Sequence, residues 1–135
     1  DDDPDMVRLL TRVIERSMGS KLRVEACTDP EQARQRIDDG GIDILLTDLE
    51  MPSIDGLTLL RYAKKRSAFT QVLFITGHSS HEALLEALEQ GSTDYLLKPV
   101  DQQKLVDLIE QAFHRQQRWR EALGATWQQR QQAHA

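Results

Sequence analysis

Apolar side chains in this chain follow two spacings, one helical and one alternating or continuous, and the two take turns along the sequence. After Asp3-Pro4, an N-cap followed by a first-turn proline, Met6, Leu9, Leu10, Val13 and Ile14 recur at helical intervals, which predicts a helix ending near Gly19. Residues 22–27 alternate apolar and polar in the manner of a half-buried strand. Asp29-Pro30 opens a short second helix marked by Ala33 and Ile37 and stopped by Gly40-Gly41. Residues 42–47 and 72–76 are apolar runs bounded by turn residues, the pattern of strands covered on both faces. Between them, residues 56–66 read as a helix with Leu57, Leu60 and Ala63 on one stripe. Its last turn holds Lys64, Lys65 and Arg66, where the helix dipole favours cations. Ser79-Ser80-His81-Glu82 has the form of a capping box for a helix that Gly91 closes. Residues 95–97 are a short last strand, and helical spacing resumes from Asp101 to about Leu123.

Strands alternating with helices imply an α/β fold, a doubly wound parallel sheet with helices on both faces and right-handed crossovers. Such sheets place their sites at the carboxyl ends of the strands. That rule selects Asp48, Thr76 and Lys98, each at the end of a predicted strand, and adds the acidic run Asp1 to Asp3 if a strand leads into it.

The 135 residues suit one domain able to bury a core without disulfides, and the single cysteine, Cys27, is expected to pack as a small apolar residue. With 17 Lys+Arg against 22 Asp+Glu, a net charge of -5 argues against blanketing a phosphate backbone, so direct nucleic-acid binding is disfavoured. The apolar runs are too short for a bilayer, and an acidic opening is unlike a signal peptide, so a cytoplasmic location and no membrane contact are expected. Residues 114–135 differ from the rest, with four Arg, one Glu, both tryptophans and a Gln-rich end.

Four stretches in order, Asp1-Asp2, Asp48-Leu49-Glu50-Met51-Pro52-Ser53-Ile54-Asp55-Gly56, Ile75-Thr76-Gly77 and Tyr95-Leu96-Leu97-Lys98-Pro99, resemble the receiver domain of two-component response regulators, the CheY-like superfamily. The resemblance covers about residues 1–115, leaving 116–135 as a helical extension or linker. It implies a flavodoxin-like five-stranded sheet in the order 2-1-3-4-5. The central first strand is absent from this sequence, so an apolar segment of about five or six residues is expected ahead of Asp1.

The resemblance also implies a chemistry. Carboxylates about 4 Å apart repel by roughly 4 kcal/mol per pair near a protein surface, and a divalent cation removes that repulsion. Mg²⁺, which prefers hard oxygen ligands, is expected on Asp2 and Asp48, on Asp1 through water, and on the Glu50 backbone carbonyl. Asp48 is the implied phosphoacceptor, served by a sensor histidine kinase or phosphotransfer protein, with Thr76 and Lys98 holding the phosphoryl oxygens. Thr76 and Tyr95 are the implied switch pair, Glu50 and His78 the implied tuners of phosphate lifetime, and Lys98-Pro99 an implied cis bond. On this reading the chain is a phosphoacceptor switch and not an enzyme acting on other molecules. Asp55 is assigned to the turn or to capping the helix that starts at Gly56.

Two other classes compete. A Mg²⁺-dependent aspartyl phosphatase of the haloacid dehalogenase type would carry its nucleophile within Asp1 to Asp3, whereas here Asp48 precedes Met51-Pro52 on a later strand. A receiver-like module that binds partners without phosphate would be expected to have lost Asp48, Lys98 or the acidic pair, and all are present. In the last helix Leu105, Ile109, Ala112, Gln116, Trp119 and Leu123 form a coiled-coil-like seam with one polar member. That seam fits a parallel dimer through the face of the fourth helix, fifth strand and fifth helix. It equally fits a linker to an output domain, or a frayed amphipathic end.

Overall fold

The computed structural model describes residues 4–19, 21–49, 55–77 and 81–133. Five helices and three strands follow one another as α1 (Pro4–Met18), α2 (Pro30–Asp39), β1 (Ile44–Asp48), α3 (Gly56–Arg66), β2 (Gln71–Thr76), α4 (His81–Glu89), β3 (Asp94–Leu97) and α5 (Gln102–Ala133). The strands are parallel in the order β1-β2-β3, with Asp48 opposite Ile75 and Thr76 opposite Leu97.

Side-chain alternation along the strands divides the interior into two layers. On one face Leu73 and Ile75 of β2 and Leu96 of β3 pack with Leu10, Val13, Ile14 and Met18 of α1 and Leu105, Ile109 and Ala112 of α5. On the other, Val72 and Phe74 of β2 pack with Ile37 of α2, Leu57, Leu59, Leu60 and Ala63 of α3, and Ala87 of α4. Every residue of β2 is buried, as its apolar run predicts for a strand covered on both sides.

The helix ends follow the sequence signals. Asp29 caps α2 by accepting from the Glu31 N–H at 3.0 Å, and Gly40 closes it at φ 82°. Asp55 caps α3, its Oδ1 accepting from the Thr58 N–H at 2.8 Å and the Thr58 hydroxyl at 2.9 Å. Helix α5 continues for ten residues beyond Leu123, where the seam pattern loses its apolar members.

One expected element is corrected. Residues 22–27 form no strand. Their alternation persists in burial, since Leu22 and Val24 pack against the α1–α5 layer while Arg23 and Glu25 face water. A strand, however, needs a neighbour to exchange backbone hydrogen bonds, and among the described residues none lies alongside. The sheet accordingly has three strands among the described residues where five were expected.

Candidate functional site

Three neighbouring strand ends build the site. Asp48 closes β1, Thr76 closes β2, and Lys98 follows β3, its backbone N–H donating to the Thr76 carbonyl at 2.9 Å. The ladder therefore carries the three side chains to one carboxyl edge, and the Lys98-Pro99 peptide bond that ends β3 is cis, as the resemblance implies.

Burial sets the electrostatics. The Asp48 side chain is 5% exposed, and its Oδ1 lies 3.1 Å from Nζ of Lys98, whose own side chain is 35% exposed. That contact is an ion pair without hydrogen-bond alignment: among the described residues no donor is directed at the buried Oδ1. A buried, ionised oxygen without an aligned donor is costly. Such an oxygen fits a hard cation or a reacting phosphorus centre. Thr76 is buried beside it in the sheet order.

Close packing holds the Asp48 backbone. Gly56 opens α3 and donates its N–H to the Leu49 carbonyl at 2.9 Å. A Cβ at this position would stand 2.2 Å from the Asp48 carbonyl oxygen and 2.7 Å from Cε1 of Phe74. The glycine is required by this close approach of helix to strand.

The remaining expected residues divide in two. Tyr95 is on β3 and half-exposed, opposite Phe74 in the ladder. Asp1, Asp2, Glu50 and His78 lie outside the described residues, as do the Met51-Pro52 turn and the Ser79-Ser80 cap. Among the described residues no three His, Cys, Asp or Glu side chains cluster to hold a metal, so Asp48 is the one expected ligand whose position is seen.

Comparison with known proteins decides the family. The family defined as the response regulator receiver domain matches residues 1–110. This chain belongs to that family. PilR of Pseudomonas aeruginosa, a response regulator protein, is 34% identical to the receiver over 113 residues, 84% of this chain and 25% of PilR. NtrC of Escherichia coli, a DNA-binding transcriptional regulator, is 44% identical over 71 residues, 53% of this chain and 15% of NtrC. The receiver thus spans a quarter or less of these two relatives. The CheY-like receiver domain protein from Methanospirillum hungatei superposes with a TM-score of 0.80 at 24% identity, covering 87% of this chain and 92% of its own.

Two features escaped sequence reasoning. Gln116, the polar member of the α5 seam, is 4% exposed, and its Nε2 donates to Oδ1 of Asp43 at 2.8 Å. Arg120 reaches the same oxygen at 3.2 Å and stacks 5.2 Å from the Phe69 ring. The position of Gln116 on the buried stripe was a signal of burial, but nothing in the sequence marks Asp43, 73 residues earlier, as its partner.

Proposed function

We propose that this receiver accepts a phosphoryl group on Asp48 from the phosphohistidine of a sensor kinase or phosphotransfer protein, in a Mg²⁺-dependent two-component phosphorelay. The observation that carries the proposal is the buried Asp48 Oδ1, ion-paired to Lys98 and lacking an aligned donor at the carboxyl edge of the sheet. A carboxylate oxygen of Asp48 attacks phosphorus, the phosphorus–nitrogen bond to the donor histidine breaks, and the imidazole leaves with that electron pair. The product is an acyl phosphate. Lys98 supplies a fixed positive charge to the phosphoryl oxygens, and the Thr76 hydroxyl a hydrogen bond. Asp48, Asp1, Asp2 and the Glu50 carbonyl are the residues that would hold Mg²⁺, which when bound offsets the negative charge of carboxylates and phosphoryl group. Glu50 and His78 are assigned to the lifetime of the phosphate.

The added charge, about -1.5 to -2 units, draws Thr76 toward the phosphoryl group and gives Tyr95 room to turn inward. The surface that changes includes exposed Leu85 and Leu88 of α4 and Tyr95 and Leu97 of β3, apolar residues suited to a partner or a second copy. Among the described residues no helix is long and apolar enough to cross a membrane, in keeping with a cytoplasmic switch.

Intact-mass spectrometry after incubation with Mg²⁺ and phosphoramidate tests this reading. A gain of one phosphoryl group, absent in Asp48→Ala, is expected. A folded protein that gains none overturns it in favour of a phosphate-independent binding module.

A further inference from the structure

At the amino end of the sheet, away from Asp48, an open groove of about 670 Å³ lies between the last turn of α3, the loops leading into β2 and β3, and α5. Lys64 and Phe69 line it on one side, and Arg115, Trp119 and Leu123 of α5 on the other. The α5 residues are spaced by four, so they share one face of the helix, and Trp127 carries that stripe one turn further. Trp119, Leu123 and Trp127 are each more than half exposed.

The cations along this stripe are short of counter-charge. Nζ of Lys64 donates to the Thr70 carbonyl at 2.7 Å and to the Ala68 carbonyl at 3.4 Å, both neutral, and burial lowers its pKa from the ordinary lysine value. Arg115 is half-buried, and among the described residues its guanidinium has no carboxylate or hydrogen-bond partner. Arg130 stands 6.0 Å over the Trp127 ring centroid at the far end of the stripe. Of the four arginines in residues 114–135, only Arg120 meets a carboxylate among the described residues, that of Asp43.

We infer that the groove and its stripe are a docking site for an acidic amphipathic helix of a partner protein, with apolar side chains seated on Trp119, Leu123 and Trp127 and carboxylates on Lys64, Arg115 and Arg130. The stretch from Arg115 to Arg130 rises about 22 Å, so the partner helix has about four turns. Charge selects this occupant. A second copy's α5 laid parallel on the stripe sets Arg115 against Arg115, and laid antiparallel it sets Arg115 against Arg130. Both arrangements oppose like charges. A nucleic acid finds few unspent cations here, on a body whose residues 1–113 carry 13 basic against 21 acidic side chains. A short acidic helix matches the few cations and also covers the tryptophans.

Fluorescence anisotropy of a labelled peptide on the 135-residue chain, without Mg²⁺ or phosphodonor, tests the site separately from the phosphorylation chemistry. The probe is a helical peptide of about four turns with leucine on one face and glutamate on its flanks. One control replaces every glutamate by lysine, and a second scrambles the leucines off their face. Binding of the probe and of neither control is expected. Arg115→Ala and Trp119→Ala are each expected to weaken it about tenfold, the order of a charge-assisted hydrogen bond or an aromatic anchor. Arg23→Ala, which removes an equal charge from an exposed side chain away from the groove, is expected to leave it unchanged. Equal binding of either control, no binding of the probe, or no effect of Arg115→Ala and Trp119→Ala overturns the inference. Displacement of the probe by an oligothymidylate or by phosphatidylserine vesicles at lower concentration than by unlabelled probe also overturns it, reassigning the stripe to a nucleic acid or a membrane surface. So does a dimer in sedimentation that excludes the probe, which assigns the stripe to a second copy.

Discussion

Two aspartates stand at opposite ends of one strand and meet opposite treatment. Asp43 precedes β1 and is half-exposed, yet its Oδ1 accepts from Gln116 and lies 3.2 Å from Arg120, and its carbonyl accepts from the Gln71 N–H at 2.9 Å. Asp48 closes β1 and is buried, yet one of its oxygens has Lys98 as an ion partner and, among the described residues, no aligned donor. Solvent could have satisfied Asp43 without protein partners, whereas Asp48 has little access to solvent. The better-partnered carboxylate is therefore the one that needs partners less. The amino end of the sheet is built to hold α5 in place. The carboxyl end leaves a buried carboxylate oxygen without an aligned donor among the described residues, an arrangement that costs stability.

The sharpest way to break this comparison is to remove each carboxylate in turn. Asp48→Ala is expected to abolish the phosphoryl mass gain, and chelating Mg²⁺ with EDTA is expected to do the same to the unaltered protein. Asp43→Ala is expected to keep the gain. Loss of phosphorylation in both variants would show that the two ends are not functionally distinct. Next in size is Lys98→Ala, which removes the cation facing Asp48. Its phosphorylation rate is expected to fall about 100-fold, the order seen when one preorganised charge donor is lost, with circular dichroism unchanged. A rate within twofold of the parent would remove Lys98 from the chemistry.

Much of this asymmetry was legible in the sequence, because the carboxyl-edge residues announce themselves locally. Asp48, Thr76 and Lys98 each follow an apolar run, and strand alternation with helices places run ends on one edge. Helix α3 was bounded by Asp55, Gly56 and three basic residues, and its limits agree with expectation. Residues 22–27 show the limit of local pattern. Their alternation reports that Leu22 and Val24 are turned inward and fails at Ala26, which is exposed, and strand formation depends on a neighbour that periodicity does not encode. Gly56 and Asp43 show the same limit for packing. A helix start pressed onto a carbonyl, and an amide bonded across 73 residues, arise from tertiary proximity alone.

Gly56→Ala sharpens the comparison through the backbone. Its Cβ collides with the Asp48 carbonyl and with Leu49, so helix and strand must separate. Overpacking of this kind costs about 1–3 kcal/mol, expected as a lower urea midpoint together with slower phosphorylation. Gln116→Leu acts at the other end. It keeps the apolar contacts of the seam and removes a buried hydrogen bond to a carboxylate, for an expected loss of about 1–2 kcal/mol. Phosphorylation is expected to be unchanged, and a parallel fall in rate would instead tie the anchoring of α5 to the acceptor site.

The smallest effect is expected at Arg120, where the two kinds of contact can be separated. Its guanidinium lies 3.2 Å from Asp43 and 5.2 Å from the Phe69 ring centroid, on a side chain that is 55% exposed. An exposed ion pair contributes about 0–1 kcal/mol and weakens as salt is added. Stacking on an aromatic face contributes a comparable amount, depends less on salt, and needs the planar guanidinium, which lysine does not reproduce. Arg120→Lys should therefore lose about 0.5 kcal/mol, with the loss persisting at high salt, if the Phe69 stack is the main contact. If the Asp43 pair dominates, Arg120→Lys should resemble the parent and Arg120→Ala should lose stability only at low salt. Urea midpoints of both variants at two salt concentrations decide between these. A salt-independent loss in both would leave Gln116 as the sole polar partner of the Asp43 side chain that matters to stability, with Arg120 acting through its contact with Phe69.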